Sequence, residues 1–394
     1  MKPATPQKRF VARHLKHVRG ALQLAVAGTV GVTTLAEAVH SAVMSAVVLS
    51  PKAPPPKTAG LTGAIYASVR GAAKLVGKGS ETALDKLVKR LEETTAEPLQ
   101  SDERAVGLQA IVNGVFGDTL HRLKSPWALP MTLREREMIA KKRRKRPAGR
   151  VLFVHGLCMH DGHWQSSDAG VDFAELLFED HGLRPHYLRY NSGMAVEENG
   201  RLLAQLLEEQ HSGRTRWRGE FHVVAHSMGG LVVRSALAQG RAGGMRWPSQ
   251  LGNVVFLGTP HSGAPLERLG AVVDQVLEWQ RFSAPWSALG KLRSKGITDL
   301  RTGRLASNNA QDSHVARFHA VAGTLLGDRG ATAAESLGDG LVPVSSALAH
   351  GIPHEMLPIY SREIFHGVGH LSLISNPAVA KHVVRCISGE FNAG

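Results

Sequence analysis

The stretch FHVVAHSMGGLVVRSAL, residues 221 to 237, places a serine between an apolar run and a helical pattern. A buried strand that turns sharply into a helix is the setting of a nucleophile elbow, in which the strained middle residue projects its side chain above the sheet. Gly229 and Gly230 leave room for the two elements to approach, and Ala225 stands where glycine is commoner. Ser227 is therefore the candidate nucleophile, and the alternative is an incidental serine in a glycine-rich turn.

A serine hydroxyl needs a base to take its proton and a carboxylate to orient that base. In a fold with such an elbow the order along the chain is nucleophile, acid, base. The segment GVGHLSLISNPAV places His370 in a glycine-flexible loop just before the last helical pattern. His366 lies on the same loop and remains a rival, and His382 falls inside the helix. The histidines that follow a candidate acid are His350, His354, His366, His370 and His382.

The candidate acid lies in the segment GDGLVPVSS, residues 338 to 346. Asp339 stands between two glycines, which permit a turn that aims the carboxylate at a neighbouring loop. Asp312 and Asp328 are alternatives with less turn character around them. A plain turn or helix-capping aspartate is the other interpretation of Asp339.

Acyl transfer also requires backbone N–H groups fixed where the tetrahedral intermediate develops its negative charge. One donor is expected from Met228, the residue after the nucleophile, and the other from the loop that leaves an earlier strand. The segment VLFVHGLCMHDGHW offers Leu157 for the second donor, directly after His155 and Gly156.

The same loop carries three histidines that could suggest a metal site. Neutral imidazoles spaced along a loop, without a matching carboxylate cluster, do not specify one. We therefore predict no metal and no cofactor. The histidines are His155, His160 and His163.

From residue 148 onward, short apolar segments alternate with helical patterns, which is typical of a mostly parallel sheet with helices on both faces. The expected strands are 150–154, 186–190, 221–225, 253–257 and 318–322, and the expected helices are 168–181, 196–211, 229–240 and 376–388. The segment 261–315 has apolar positions at helical spacing and predicts an amphipathic cap, which suits acyl chains.

The basic charge of the chain lies at one end. Residues 1–150 hold 26 Lys and Arg against 11 Asp and Glu, whereas residues 151–394 hold 21 against 22. We predict a basic helical N-terminal extension over 1–148, with a proline-rich break at 51–60, before a catalytic domain at 149–394. Its amphipathic helices either pack on the neighbouring domain or contact an anionic membrane. The run KKRRKRP lacks interleaved aromatic residues, so no nucleic-acid partner is expected.

The cysteine content and the N-terminus indicate the compartment. Two cysteines, Cys158 and Cys386, are too few for a disulfide scaffold and are interpreted as free thiols. Polar residues interrupt the apolar run after the basic opening, so we expect a cytoplasmic protein, membrane-associated if the helices bind lipid. A cleaved signal peptide is the alternative.

From about residue 149 to 390 the chain resembles lipases and esterases of the α/β-hydrolase superfamily, particularly bacterial proteins related to GPI inositol-deacylase and to triacylglycerol lipases. The segments FVHGLCM, AHSMGGLVVRSA, GTPHSGAP and GDGLVPVSSA are each similar to that group's segments and follow its order. The resemblance implies an α/β-hydrolase fold. It also implies a nucleophile, an acid, a base and two oxyanion donors at Ser227, Asp339, His370, Leu157 and Met228.

The expected function is hydrolysis of carboxylic esters, with lipid or medium-chain acyl esters as substrates. Thioesters and amides are chemically accessible to the same triad. A catalytically silent, membrane-associated binding protein is the alternative from another class, because a fold does not fix a function.

Overall fold

A computed structural model describes residues 103–125, 127–136, 149–165, 171–212, 217, 219–264, 294–302, 316–327 and 338–390. The strands are β1 Thr132–Glu135, β2 Gly149–Val154, β3 Leu183–Arg189, β4 Phe221–His226, β5 Leu251–Leu257, β6 Arg317–Thr324 and β7 Ile359–His366. The α-helices are α1 Glu103–Arg122, α2 Phe173–His181, α3 Val196–Ser212, α4 Met228–Ala242, α5 Lys295–Thr302, α6 Val344–Ala347 and α7 Pro377–Ser388. Short 3₁₀ helices span Asp161–Gln165, Trp247–Gln250 and Leu371–Ile374.

The described strands form one seven-stranded sheet in the order β1-β3-β2-β4-β5-β6-β7. Strand β1 runs antiparallel to β3, and every other neighbouring pair is parallel. Helix α3 packs against α4, while α2 packs against α7, so the two helix pairs cover the sheet from opposite faces. The mostly parallel α/β architecture predicted from the sequence is confirmed.

The central strands are buried along almost their whole length. All residues of β4 and β5 are buried, and β6 is buried after its first residue. Strands that are buried on both faces have nearly continuous apolar sequences, and this pattern makes them predictable from the sequence. All five predicted strands are present, with boundaries that differ by up to three residues.

Local sequence signals fix the ends of the two helices that lie together on one face. At the start of α2, Asp172 accepts the N–H groups of residues 174 and 175, and Gly182 closes the helix with φ 68°. At the start of α7, Asn376 accepts the N–H groups of residues 378 and 379, and Gly389 follows the helix with φ 75°. Such caps satisfy backbone groups that a helix end leaves without partners.

Part of the predicted N-terminal extension belongs to the sheet and the core. Strand β1 pairs with β3 from Thr132 opposite Arg189 to Glu135 opposite His186. Helix α1 contributes Ile111, Val112, Val115, Phe116 and Leu120 to the same apolar core as the central strands. Each such side chain contributes about 1.5–3 kcal/mol when it is fully buried.

The other predictions for the N-terminal part, including the Pro-rich break and the basic run, fall outside the described residues. So does most of the predicted cap, of which α5 is described and packs against α1. Among the helices that the structure describes, none combines the length and apolarity needed to cross a membrane.

Candidate active site

Ser227 occupies the turn between β4 and α4. Its backbone adopts φ 53° and ψ −127°, a left-handed region that residues other than glycine rarely enter. Its N–H donates to the carbonyl oxygen of Leu257 at 2.8 Å, and its carbonyl accepts from the N–H of Gly230 at 3.0 Å. Strain of this kind costs about 1–3 kcal/mol and persists only where the surroundings impose it.

The two glycines after Ser227 are required by close packing. A Cβ atom at Gly229 would lie 2.6 Å from the carbonyl oxygen of His155, and one at Gly230 would lie 2.1 Å from Oγ1 of Thr259. Helix α4 therefore approaches β2 and the loop after β5 more closely than any side chain would allow.

Asp339 and His370 form a buried hydrogen-bonded pair. Nδ1 of His370 lies 2.7 Å from Oδ2 of Asp339, and both side chains are excluded from solvent. A carboxylate accepts at this point, so Nδ1 carries the proton and Nε2 keeps a free lone pair. The His370 N–H also donates to the backbone carbonyl of Asp339 at 3.0 Å.

Asp339 is held by the turn that contains it. Oδ1 of Asp339 accepts the N–H groups of Leu341 at 3.0 Å and Val342 at 2.8 Å. Gly338 and Gly340 have φ 58° and 97°, so the turn needs both of them. The flanking glycines noted in the sequence thus correspond to a turn that leaves Oδ2 for the histidine.

Gly258 lies between Ser227 and the Asp339–His370 pair. It follows Leu257, whose carbonyl holds the Ser227 N–H. A Cβ atom at Gly258 would lie 3.0 Å from Oδ2 of Asp339 and 3.2 Å from Nδ1 of His370, and the backbone has φ 57°. The segment Leu257–Gly258, at the carboxyl end of β5, therefore contacts both Ser227, after β4, and the Asp339–His370 pair, whose members follow β6 and β7.

His226 provides a contact between β4, which ends just before Ser227, and the loop of His370. Its ring centroid lies 4.6 Å from that of His370, and its Nε2 lies 3.0 Å from the His370 carbonyl oxygen. Burial holds the pKa of His226 well below its ordinary value, and the neighbouring His370 lowers that pKa further. His226 is therefore neutral, with its proton on Nε2. No local sequence pattern marks His226 as a site residue, although it directly precedes the candidate nucleophile.

In α/β hydrolases, a serine at an elbow is followed along the chain by an acidic residue in a turn and then by a histidine in a loop. All three lie at the carboxyl ends of parallel strands, as Ser227, Asp339 and His370 do here. The chain has an α/β-hydrolase fold.

The candidate oxyanion donors belong to the residue after Ser227 and to the loop after β2, which approaches Ser227. Leu157 and Met228 are both buried, and a Cβ atom at Gly156 would lie 3.0 Å from Cβ of Ser227. Among the described residues, neither the Leu157 N–H nor the Met228 N–H has a backbone acceptor.

His155 orients the peptide that carries the first of these donors. Its Nδ1 donates to the carbonyl oxygen of Gly156 at 2.9 Å, and the C=O and N–H of a planar trans peptide point in opposite directions. The Leu157 N–H is therefore directed away from the imidazole. Tyr190 stacks on His155 and donates its hydroxyl to the His155 carbonyl at 2.8 Å. Burial lowers the pKa of His155 to about 4, so it stays neutral.

The remaining histidines of this loop contact each other. The ring centroids of His160 and His163 lie 4.2 Å apart, and the rings meet edge to face. Burial lowers the pKa of His163 to about 4. Within the described residues, no group of three or more His, Cys, Asp or Glu side chains has the arrangement of a metal site.

The rival residues of the candidate triad lie elsewhere. His366 is exposed at the end of β7, and His382 lies in α7, where its ring contacts Phe365. Asp312 and Asp328 fall outside the described residues. Cys158 and Cys386 are free and buried.

Comparison with known proteins gives likenesses to several hydrolases. The mature lipase BlEst2 of Bacillus licheniformis has a TM-score of 0.44 at 20% identity, over 65% of this chain and 98% of the lipase. Phospholipase PlaB of Legionella pneumophila has a TM-score of 0.40 at 16% identity, over 60% of this chain and 59% of that protein. The RedJ thioesterase of Streptomyces coelicolor has a TM-score of 0.39 at 12% identity, over 64% of this chain and 97% of the thioesterase. No protein-family model and no curated protein matches the chain.

Proposed function

We propose that the protein is a serine hydrolase that cleaves carboxylic esters through an acyl-enzyme, with lipid or medium-chain acyl esters as its substrates. The observation that carries this proposal is the 2.7 Å hydrogen bond between Asp339 and His370, buried beside a serine held in strained backbone. A binding protein without turnover would have no need of such a pair.

In the first half-reaction, Oγ of Ser227 attacks the ester carbonyl carbon while Nε2 of His370 takes the hydroxyl proton. The carbonyl oxygen becomes an oxyanion, which the Leu157 and Met228 N–H groups stabilise. The intermediate then expels the alcohol, as the bond between the carbonyl carbon and the alkoxy oxygen breaks and His370 returns the proton to that oxygen. Asp339 keeps the imidazole in the correct tautomer and stabilises its positive charge.

In the second half-reaction, water replaces the alcohol. His370 takes a proton from the water as it attacks the acyl carbon, and the proton passes to Oγ of Ser227 when the acyl bond breaks. The products are the carboxylic acid and free enzyme. A thioester or an amide would follow the same steps with a different leaving group.

The preference for acyl chains is supported by the apolar pattern of the predicted cap segment, 261–315. In α5, its described helix, Ile297 and Leu300 are buried in the apolar core, so these two positions pack on the fold and the support rests on the apolar pattern of the remaining segment. An apolar cap excludes water and contacts hydrocarbon, as ligand pockets for apolar molecules commonly do.

Labelling with a fluorophosphonate probe tests the nucleophile. The wild-type chain should be labelled, Ser227→Ala should not, and Ser249→Ala should be labelled like the wild type because Ser249 is an exposed serine far from the elbow. A folded wild type that takes no label would instead favour the silent binding protein.

Hydrolysis of p-nitrophenyl esters of increasing chain length tests the substrate class. Higher kcat/KM for medium and long chains than for the acetate supports acyl esters. A fall in kcat/KM with chain length would restrict the proposal to small esters, and parallel assays with acyl thioesters measure the leaving-group preference.

A further inference from the structure

Cys158 follows the candidate oxyanion residue Leu157 and has unusual backbone. Its φ is 59°, in the left-handed region that favours glycine, and the residue is fully buried. Its N–H donates to Oγ of Ser192 at 3.0 Å. Burial raises the pKa of its thiol to about 12, so the side chain is an inert apolar group here. Its strained conformation must be imposed by neighbours.

Helix α1 supplies one of those neighbours. A Cβ atom at Gly114 would lie 2.2 Å from Sγ of Cys158 and 2.9 Å from its N and Cα atoms. Sγ also lies 4.0 Å from the carbonyl oxygen of Ile111, one turn earlier in the helix. The helix backbone thus lies directly on Cys158, and it does so only because residue 114 has no side chain.

The loop that presents Ser192 is fixed to the same helix. Nδ2 of Asn191 donates to the carbonyl oxygen of Gly117 at 2.9 Å, and Oδ1 of Asn191 accepts the Gly193 N–H at 3.2 Å. A Cβ atom at Gly193 would lie 2.0 Å from the carbonyl oxygen of Asn113. The loop and α1 therefore form one support.

Two consecutive peptides around Leu157 are consequently fixed. His155 holds the Gly156 carbonyl, which sets the peptide between Gly156 and Leu157. Ser192 holds the Cys158 N–H, which sets the next peptide. With both peptide planes fixed, the Leu157 N–H has no freedom to rotate away from the site.

We propose that Ser192 and Gly114 are positioning residues for the oxyanion hole, and that they act on the Leu157 N–H through Cys158. The proposal rests on the ester hydrolysis proposed above. It assigns to α1, which precedes the predicted catalytic domain, a part in aligning the donor that stabilises the transition state. Electrostatic stabilisation of this kind depends on donors already in place before the reaction.

The first test compares Ser192→Ala with two controls. Ser192→Thr keeps a hydroxyl acceptor. Ser235→Ala removes the hydroxyl of another buried serine, which lies on α4 and accepts a hydrogen bond from Nε2 of Gln239 at 3.0 Å. Enzyme concentrations are set by titration with the fluorophosphonate, and folding is checked by circular dichroism. The measurements are kcat and KM for a p-nitrophenyl ester and Ki for a trifluoromethyl ketone, whose adduct with Ser227 places an oxyanion in the hole.

For Ser192→Ala we expect kcat to fall by about 10- to 100-fold, somewhat less than the loss caused by deleting a donor outright. KM should change by less than about twofold, and Ki of the ketone should rise by the same factor as kcat falls, because both report oxyanion stabilisation. Ser192→Thr should recover most of the loss. Ser235→Ala should lower the melting temperature without changing kcat per titrated site.

A second pair of variants tests the contact with α1. Gly114→Ala introduces a Cβ atom against Sγ of Cys158 and should lower kcat in the same range as Ser192→Ala. Adding Cys158→Gly removes Sγ and suits the positive φ, so the double variant should regain part of the lost kcat.

The outcomes separate the two proposals. A wild type that hydrolyses esters while Ser192→Ala and Gly114→Ala, both folded, keep wild-type kcat and ketone Ki overturns the positioning role alone. A kcat loss in Ser192→Ala with unchanged ketone Ki also overturns it, because the defect then lies outside the oxyanion hole. A folded wild type that is neither labelled nor able to hydrolyse any ester overturns both.

Discussion

His226 donates its Nε2–H to the backbone carbonyl oxygen of His370 at 3.0 Å, across 144 residues of sequence. His226 is the last residue of β4, and the next residue is the candidate nucleophile. The loop of the candidate base is therefore tied to the strand that presents Ser227. Because the ring of His226 is neutral, it adds no charge next to the imidazolium that the proposed mechanism forms at His370.

Replacing His226 should misplace the base. We expect His226→Leu to lower kcat by about 10- to 100-fold, the size of effect that a displacement of about 1 Å produces in an active site. His226→Gln keeps a side-chain N–H donor and should retain more activity than the leucine variant. Steady-state ester hydrolysis, with circular dichroism to confirm folding, measures both. A folded leucine variant with wild-type kcat would contradict this role.

His366, the last residue of β7, and His370, in the loop after that strand, should have very different effects on activity when they are replaced. His370→Ala removes the ring bonded to Asp339 and should reduce kcat by at least about 10³-fold. His366→Ala removes an exposed ring at the end of β7 and should change kcat by less than about twofold. The comparison is direct because the residues lie four positions apart. The reverse ranking would make His366 the base and invalidate the assignment.

The strained backbone of Ser227 should be visible in stability. Ser227→Gly removes the Cβ atom that disfavours φ 53°, whereas Ser227→Ala keeps it. We expect the glycine variant to have a free energy of unfolding about 1 kcal/mol above that of the alanine variant, although both are inactive. Ser235, inside α4, provides the control variants Ser235→Gly and Ser235→Ala. At this helical position the glycine variant should have the lower free energy of unfolding, by about 0.5–1 kcal/mol. Urea unfolding of the four variants measures both differences.

The sequence predicted the centre of the sheet well and its edges poorly. The central strands are continuous apolar runs because they are buried on both faces. Strand β1, TLRE, is short and polar. Strand β7, IYSREIFH, exposes alternate residues, but its inward positions include Ser361 and Glu363 and its outward positions include Tyr360 and Ile364. Both faces of β7 therefore mix polar and apolar residues. Neither β1 nor β7 shows the alternation of apolar and polar residues that predicts a strand.

The same contrast holds within the candidate site. Ser227, Asp339 and His370 are predicted from local features, since an elbow, a glycine-flanked turn and a glycine-flexible loop are all visible in a few residues, and the structure bonds Asp339 to His370. The contacts of His226 with His370 and of Cys158 with Ser192 join residues 144 and 34 positions apart. Serine and cysteine at ordinary loop positions carry no local signal of such a contact, so sequence patterns could not reveal these supports.

Acid should unfold this protein from a pH well above the usual range for carboxyl groups. Burial lowers the pKa of His155, His163, His319 and His382 to about 4, from an ordinary value of 6.5. Above pH 6.5 these rings are neutral in both the folded and the unfolded chain, so their contribution to stability is fully present. As the pH falls below 6.5, these histidines become protonated in the unfolded chain but stay neutral in the folded chain. The free energy of unfolding therefore decreases until the pH reaches about 4.

The loss should be steep, because each such histidine lowers the free energy of unfolding by up to about 1.4 kcal/mol per pH unit. Over the 1.5 pH units from 6.5 to 5, four such histidines would remove up to about 8 kcal/mol, a large part of a typical stability of about 5–15 kcal/mol. Urea unfolding at pH 7, 6, 5.5 and 5 gives the slope, and therefore the number of protons taken up. In His319→Gln, the number of protons derived from the slope should be lower by up to one. A free energy of unfolding that stays constant from pH 7 to 5 would mean that these imidazoles titrate normally in the fold.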